Sequence, residues 1–479
     1  MTHARQSSVL SIDRMNPRVK QVEYAVRGPI VQKATTYKLK LAKGENLPFD
    51  EVFNANIGDC HAVGQKPITF VLAAAMCPQL IKDKVFPDDV NEKAAKILDA
   101  CGGRSLGSYT ESVGNLYFRE CIASYIHKRD GHPSNTDNIV MSSGASEVIK
   151  LALFTLTFGE GKDLSGVMIP TPQYPLYSAS ISEIGAFQIN YFLDEPNQWA
   201  LDIPELERAF NEASTKCTPR ALVVINPGNP TGQVLTRENI DNIIEFAAKH
   251  SLVLFADEVY QDNIYAANAQ FHSFKKCLME SKYKNVVELA SFHSMSKGYM
   301  GECGIRGGYG EFVNWDPKVL SELKKLKSAQ LCSAAAGQAA ISILTDPPQH
   351  GQPSYDLFMK ERQGVLDSLK RKAQKVYETF SKIDGITVNP ISGAMYCFPQ
   401  IHLPQKAIDA AKAKGVAPDA MYVEQLLDET GICLVPGSGF GQRPNTHHFR
   451  ITILPTEEKI DALLKKFKEF HLRFLATYQ

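Results

Sequence analysis

The chain has 479 residues, 44% of them hydrophobic and 22% charged, which is the composition of a folded globular protein rather than of a disordered or fibrous one. Basic and acidic residues number 52 each, so no net charge favours nucleic acid or an anionic membrane as a partner. The longest apolar run, residues 151–158, is too short to span a bilayer, and no histidine spacing typical of a metal site occurs.

The N-terminal segment contains Arg5, Arg14 and Arg18 among several serines, a composition found in mitochondrial transit peptides. It is short and shows no clear amphipathic pattern, and no apolar segment of a secretory signal follows its first charges. The ten cysteines are scattered without a C-x-x-C pair, which fits reduced thiols in the cytosol. We therefore expect a cytoplasmic protein, with the mitochondrion as the alternative.

Short apolar runs alternate with helical patterns from about residue 138 to residue 310. Strands are predicted at residues 139–141, 166–169, 187–193, 221–225, 252–256 and 286–290, with helices at 146–158, 204–213 and 236–250 and another ending near 184. Apolar strands separated by helices predict an α/β fold in which helices cover both faces of a parallel sheet. Ligands bind such sheets beyond the carboxyl ends of the strands, which is where the polar motifs of this chain fall.

The C-terminal part of the chain has a different pattern. Residues 318–344 are predicted to be largely helical, followed by a long helix at 354–380, short strands near 386–388 and 395–398, and a last helix at 457–474. We expect an N-terminal arm at residues 1–30, a small α+β domain formed by residues 31–80 and 346–479, and a large domain at residues 81–345.

The run Ser294-Met295-Ser296-Lys297 follows one of the predicted strands and precedes Arg306. Two hydroxyls and a guanidinium suit a phosphate group, and Lys297 supplies a nitrogen able to form a Schiff base with a carbonyl. Pyridoxal phosphate is an aldehyde that carries its own phosphate, so this run favours it as the cofactor. The alternative is that Lys297 is an ordinary solvated lysine in a loop.

Two loops after strands carry further candidates. Residues 142–146, which include Ala145 and Ser146, combine small side chains with a helix N-terminus, the pattern of an anion pocket or of a plain helix cap. Residues 226–232 read Asn-Pro-Gly-Asn-Pro-Thr-Gly, a stiff turn that fixes the direction of Asn229. A rigid loop without a ligand is the alternative for this second motif.

Four more side chains have chemistry that suits a site of this kind. Asp257 ends an apolar strand, where a carboxylate is costly unless it is paired, and a pyridinium nitrogen is a suitable partner. Tyr260 lies three residues on and could bind a ring hydroxyl, whereas Tyr174 lies between prolines and could stack on an aromatic ring. Arg450 could bind a carboxylate with both arms of its guanidinium. A helix-capping aspartate, packed tyrosines and an exposed strand arginine are the corresponding alternatives.

In this order along the chain, the motifs resemble the class I and II aminotransferases of pyridoxal-phosphate fold type I. The resemblance covers essentially the whole chain and implies a large domain with a mostly parallel, doubly wound sheet plus a smaller α+β domain. It also implies a soluble enzyme that acts on amino acids and 2-oxo acids by ping-pong transamination, with pyridoxal 5'-phosphate as the cofactor and no metal, nucleic acid or membrane as a partner.

The resemblance assigns a role to each motif. Lys297 would be the Schiff-base lysine, and Asp257 and Tyr260 would be the other catalytic side chains. The implied cofactor contacts are Lys297, Ala145, Ser146, Tyr174, Asn229, Asp257, Tyr260, Ser294, Ser296 and Arg306, and the implied substrate contacts are Arg450, Asn229 and Gly58. Tyr109 is similar to the tyrosine that a neighbouring subunit lends to the phosphate, which implies a homodimer with composite sites.

Several segments are similar to the alanine aminotransferase subgroup of this family, among them residues 15–19, 23–29, 55–59, 296–304 and 435–441. One departure is the segment 327–333, where a more basic and proline-containing stretch is expected. The subgroup implies L-alanine and 2-oxoglutarate as substrates. Three alternatives remain open, namely another aminotransferase of the glutamate–glyoxylate type, a pyridoxal-phosphate-dependent C–S lyase on the same fold, and a catalytically silent cofactor-binding protein.

Overall fold

Seven strands form one large sheet in the computed structural model, which describes residues 15–68 and 75–479. Across the sheet, the strands are Ile139–Ser142, Gly308–Val313, Leu289–Ser294, Val253–Asp257, Thr218–Ile225, Ser165–Thr171 and Phe187–Phe192. Gly308–Val313 runs antiparallel to both of its neighbours, and the other adjacent strands pair in parallel. The sheet is therefore mostly parallel, as expected.

Both faces of this sheet are buried. In Thr218–Ile225, Leu222 and Val224 pack into one hydrophobic cluster, whereas Val223 and Ile225 pack into another on the opposite face. Successive side chains of a strand point to opposite faces, so a strand covered on both sides must be apolar throughout. This explains why the strands appear in the sequence as continuous apolar runs.

The helices of the first 345 residues surround this sheet or precede it. They are Pro17–Gln21, Pro29–Ala42, Pro78–Lys82, Asp88–Ala100, Leu116–Asp130, Ala145–Leu156, Leu176–Ile184, Ile203–Ala213, Arg237–His250, Phe274–Glu280, Pro317–Ser328 and Ala335–Thr345. The predicted helix over 318–344 is thus two helices, separated at residues 329–334. None of the helices in the described ranges is long and apolar enough to cross a membrane.

The C-terminal residues form a second core of helices packed on short strands. The helices are Tyr355–Phe380, Gln405–Ala413, Pro418–Thr430 and Glu457–Tyr478. A three-stranded antiparallel sheet has the order Tyr396–Cys397, Phe449–Thr452, Val435–Pro436, and two strand pairs join Phe53–Asn54 to Ile432–Cys433 and Ile386–Thr387 to Gln400–Ile401. The proposed domain boundaries stay a prediction.

One predicted strand is displaced in the structure, and one strand of the large sheet was not predicted. The strand predicted at 286–290 is Leu289–Ser294, and the side chain of Val286 is 63% exposed outside it. The strand Gly308–Val313 was not predicted, because glycines disfavour strands. Its glycines allow a helix to approach closely, since a Cβ at Gly308 would lie 2.5 Å from the backbone nitrogen of Ala145.

Candidate active site

A cavity of about 460 Å³ opens beyond the carboxyl ends of the parallel strands. The strands that end at Ser142, Thr171, Ile225, Asp257 and Ser294 each continue into a loop or turn that contributes to its wall. Because these ends meet at one edge of the sheet, motifs far apart in sequence are brought together there. Side chains from the second core, including Arg450, close the opposite wall.

One end of the cavity is an anion-binding cradle. The helix Ala145–Leu156 begins after Gly144 without a side-chain cap, which leaves the first amides of the helix for a ligand. Arg306 donates to the carbonyl of Ser143 at 3.0 Å, which fixes its guanidinium beside this helix end. Gly144 has φ +85° and a Cβ there would lie 2.2 Å from that guanidinium, so the close approach requires glycine.

The hydroxyls of Ser294 and Ser296 complete the cradle. The Oγ of Ser294 donates to the Oγ of Ser296 at 2.9 Å and also contacts the carbonyl of Gly307. The backbone nitrogen of Ser296 donates to Ser294 Oγ at 3.0 Å, which holds the turn that presents Lys297. Hydroxyls, free helix amides and an arginine together match the oxygen atoms of a phosphate group.

Asp257 provides a buried negative charge in the middle of the cavity. Its side chain is 3% exposed, and burial raises its pKa to about 6 although the hydroxyl of Tyr177 donates to it at 2.9 Å. No lysine or arginine of the described ranges lies within ion-pair distance of it. A cationic ring nitrogen would supply the missing partner and keep the carboxylate charged.

The loop 226–232 is held by hydrogen bonds to the residues that follow it. Asn226 accepts from the backbone nitrogen of Leu235 at 2.9 Å, and the backbone nitrogen of Gly228 donates to the carbonyl of Gln233. Asn229 follows at 5% exposure, and its Oδ1 accepts from Arg450 at 3.1 Å. The expectation that this loop directs Asn229 into a site agrees with its position in the cavity wall.

Arg450 is a buried cation that lacks a carboxylate. It is 1% exposed, and it donates to Asn229 and, at 2.6 Å, to the carbonyl of Asn56. Its Nε has no hydrogen-bond partner among the described residues, and none of their carboxylates lies within ion-pair distance. A buried cation of this kind is costly unless an anion binds it. The alternative of an ordinary exposed strand arginine is therefore wrong.

Lys297 lies near the centre of the cavity, and its Nζ donates to the carbonyl of Gly58 at 2.6 Å. Burial lowers the pKa of Lys297, but the phenol of Tyr396 and the thiols of Cys303 and Cys60 outweigh burial and raise the pKa above its ordinary value. The contact with Gly58 and the partial burial of the side chain exclude a freely solvated loop lysine. A reactive amine is thus held beside the anion cradle.

The structure brings together all but one of the side chains predicted for the site. The cavity wall contains Gly58, Ala145, Ser146, Tyr174, Asn229, Asp257, Tyr260, Ser294, Ser296, Lys297, Arg306 and Arg450. Tyr109 lies outside the cavity with a side chain that is 79% exposed. The individual catalytic and binding roles of these residues remain predictions.

Sequence reasoning missed several cavity residues. Tyr24 lies in the N-terminal segment and its hydroxyl pairs with that of Tyr174 at 2.8 Å. Arg27 and Tyr396 also line the cavity, and Tyr177 supports Asp257 from a helix. Tyr24 and Arg27 lie in the segment 23–29 noted for its similarity to the subgroup, but no local pattern assigns these four residues to the site.

These residues fit pyridoxal phosphate. The cradle matches its phosphate, Asp257 its ring nitrogen, and Lys297 its aldehyde carbon, while Tyr174 offers an aromatic face and Tyr260 a hydroxyl. The fit rests on two unmatched groups in the structure, namely the uncapped helix at Ala145 and the carboxylate of Asp257 without a cation.

Comparison with known proteins agrees with this chemistry. The family model described as aminotransferase class I and II matches residues 79–467. An alanine aminotransferase 2-like protein of Danio rerio is 55% identical and covers 99% of this chain and 87% of the relative, and alanine aminotransferase 1 of Homo sapiens is 53% identical and covers 99% and 97%. The solved alanine aminotransferase of Pyrococcus furiosus shares the fold with a TM-score of 0.76 at 22% identity, covering 96% and 100%.

Proposed function

The chain belongs to the class I and II aminotransferases, and from this membership we infer that it is a pyridoxal-phosphate-dependent alanine aminotransferase that converts L-alanine and 2-oxoglutarate to pyruvate and L-glutamate. One observation carries the inference at the level of the site. The buried cation Arg450, which lacks a carboxylate partner among the described residues, lies in the same cavity as the amine of Lys297. The α-carboxylate of an amino acid can pair with Arg450, and the amine of Lys297 can accept its Cα proton.

Each residue has a task that follows from its position. Arg450 binds the α-carboxylate of either substrate, and Asn229 holds the guanidinium in place. Lys297 provides the amine that takes the proton from Cα and returns it. Asp257 keeps a neighbouring ring nitrogen protonated. The cofactor, when bound, supplies the electron sink that makes the Cα proton acidic.

2-Oxoglutarate and glutamate carry a second carboxylate that alanine and pyruvate lack, and we propose that Arg27 binds it. Its side chain is exposed, lines the cavity, and makes no hydrogen bond or ion pair with a described residue. We expect Arg27→Leu to raise the KM for 2-oxoglutarate and glutamate about tenfold or more, because a charge-assisted hydrogen bond is worth about 1.5–3 kcal/mol. The KM for alanine and pyruvate, which lack a second carboxylate, should change little. Equal effects on both substrate pairs in steady-state kinetics would exclude this role.

Product analysis tests the reaction class. The purified protein with pyridoxal phosphate, alanine and 2-oxoglutarate should form pyruvate and glutamate in equal amounts, with no free ammonia. A C–S lyase, the alternative on this fold, releases ammonia and needs no 2-oxo acceptor. Ammonia and pyruvate formed from a cysteine conjugate without acceptor, together with no turnover of alanine, would overturn the proposed function.

We further propose that the enzyme is a homodimer with composite sites. The exposure of Tyr109 supports this, because a tyrosine that is 79% exposed in one chain is free to reach a second copy. The protein should have about twice the chain mass in size-exclusion chromatography with light scattering. Tyr109→Phe should weaken cofactor binding without dissociating the dimer. A fully active monomer would contradict the proposal.

A cytoplasmic location is likewise a proposal. All ten cysteines are free in the structure, which fits a reducing compartment. A C-terminal fluorescent fusion expressed from the full sequence should be diffuse in the cytosol, and co-localisation with a mitochondrial dye would show the alternative to be right.

A further inference from the structure

Tyr396 lies beneath the carboxylate-binding arginine. It belongs to the strand Tyr396–Cys397, which pairs with the strand that carries Arg450, and its side chain is 3% exposed. The guanidinium carbon of Arg450 lies 4.1 Å from the centre of its ring. The ring and the cation therefore form one stacked unit in the cavity wall.

The hydroxyl of Tyr396 is directed at Lys297. A Cβ added to Gly58 would lie 2.0 Å from this hydroxyl and 2.7 Å from the Nζ of Lys297. The two atoms are therefore within about 5 Å of each other, a range in which two charges shift each other's pKa values strongly. Gly58 is needed here because any side chain would displace both groups.

The charges that face the hydroxyl favour its ionised form. Burial raises the pKa of Tyr396, but the charges of Lys297 and Arg450, with a hydrogen bond from Tyr260 at 3.5 Å, outweigh burial and lower the pKa. The thiol of Cys303 acts in the opposite direction. The phenol and the amine thus show opposite shifts, as expected for two groups that share a proton.

We propose that, whenever Lys297 carries a free amine, Tyr396 exchanges a proton with it under the control of the carboxylate bound to Arg450. With no carboxylate bound, the ammonium of Lys297 faces the phenolate of Tyr396. The charge of Arg450 lowers the pKa of both groups, but Arg450 stacks directly on the ring of Tyr396. A carboxylate that cancels this charge therefore destabilises the phenolate more than it stabilises the ammonium, and the proton passes from Nζ to the phenol oxygen. Both groups become neutral, and the neutral amine is the form able to accept a proton from Cα.

This inference rests on the proposed function for the role of Arg450, but its first test does not need turnover. The full chain without cofactor is titrated while the near-ultraviolet absorbance of phenolate is followed. One tyrosine should ionise clearly below the ordinary pKa of about 10. Saturating propanoate, which has a carboxylate and no amine, should abolish this early ionisation. Tyr396→Phe should lack the early step.

The matched control is Tyr191→Phe, which likewise removes one buried tyrosine hydroxyl. The hydroxyl of Tyr191 donates to the carbonyl of Val223 at 2.7 Å and does not contact Lys297. This variant should keep both the early phenolate and its response to propanoate. An early phenolate that persists in Tyr396→Phe, or that ignores propanoate in the wild type, would overturn the proposal. Neither result depends on whether alanine is the substrate.

A second readout separates proton exchange from a structural role. Tyr396→Phe retains the ring under Arg450, so the KM for alanine should stay within about twofold while kcat falls about tenfold. The acidic limb of the kcat–pH profile should move to lower pH, because the variant lacks the phenolate charge that raises the pKa of Lys297. A fall in kcat with an unchanged pH profile would show that the hydroxyl is structural and not a proton partner. If wild type fails to turn over alanine but shows the titration, the proposed function is wrong and the proton exchange stands.

Discussion

Lys297→Ala should lower kcat for alanine transamination by at least about 10⁴-fold, since the variant loses both the nucleophilic amine and the base that moves the Cα proton. The loss should be equally large in both directions of the reaction, because the proposed mechanism uses the same amine in both half-reactions. Binding of the cofactor's phosphate should persist, because the cradle around Arg306 and Ser294 does not involve Lys297.

A second variant, Lys297→Arg, separates the loss of the amine from the loss of positive charge. Arginine keeps the positive charge but remains protonated, so it neither attacks a carbonyl nor accepts a proton. Both variants should therefore be inactive, whereas Lys372→Ala, which removes another buried lysine that donates to the carbonyl of Leu454, should retain the catalytic site. Near wild-type turnover by Lys297→Ala in a steady-state assay would show that the assigned catalyst is wrong.

Arg450→Leu should produce the second large effect. Loss of a buried charge pair with the substrate carboxylate costs about 2–5 kcal/mol, so we expect kcat/KM to fall about 10³-fold. Alanine, glutamate, pyruvate and 2-oxoglutarate should all be affected to the same extent, because all four carry the α-carboxylate that we propose Arg450 to bind. This uniform loss distinguishes Arg450 from Arg27, whose replacement should affect only the substrates with two carboxylates.

Arg443→Leu is the control for this second prediction, since Arg443 stacks on Phe192 and does not line the cavity. Arg450→Lys should recover part of the activity because it keeps the charge but loses the second hydrogen bond. Thermal unfolding of each variant must accompany the kinetics. A selective loss toward glutamate in Arg450→Leu, with alanine unaffected, would contradict the role in α-carboxylate binding.

The parts of the site that sequence could predict all lie just after strands. Asp257, Asn229 and Lys297 follow continuous apolar runs, and the topology of a parallel sheet requires such strand ends to meet at one edge. Because both faces of the sheet are buried, its strands are continuous apolar runs that the sequence shows directly. The sequence pattern therefore predicts that these three residues lie close together.

The remaining features depend on packing between distant segments. Tyr396 belongs to no motif, and the segment 23–29 that contains Arg27 indicated the subgroup but no role for that side chain. Only the folded chain places both residues in the cavity with Lys297. The strand Gly308–Val313 carries glycines for close helix packing, which conceals its β character. The helices Gln405–Ala413 and Pro418–Thr430 were also not predicted. Each of these features depends on contacts between segments that are far apart in sequence, and a local sequence pattern does not show such contacts.

The lack of an oppositely charged partner for Asp257 and Arg450 is a property of the folded structure that the sequence does not show. Sequence indicated an aspartate at a strand end and an arginine on a strand, but each had an ordinary structural alternative. Burial of Asp257 and Arg450 without an opposite charge among the described residues makes a ligand the better explanation. Such charges are too costly to keep for packing alone.

A single-turnover half-reaction tests the central claim most directly. The purified protein, loaded with pyridoxal phosphate, is mixed with alanine in the absence of any 2-oxo acid, and pyruvate is measured per site. One equivalent of pyruvate should form and the reaction should then stop. After alanine is removed, 2-oxoglutarate should yield one equivalent of glutamate. A reaction that proceeds with glutamate but not with alanine would contradict the assignment of substrate, and continuous pyruvate formation without an acceptor would contradict transamination itself.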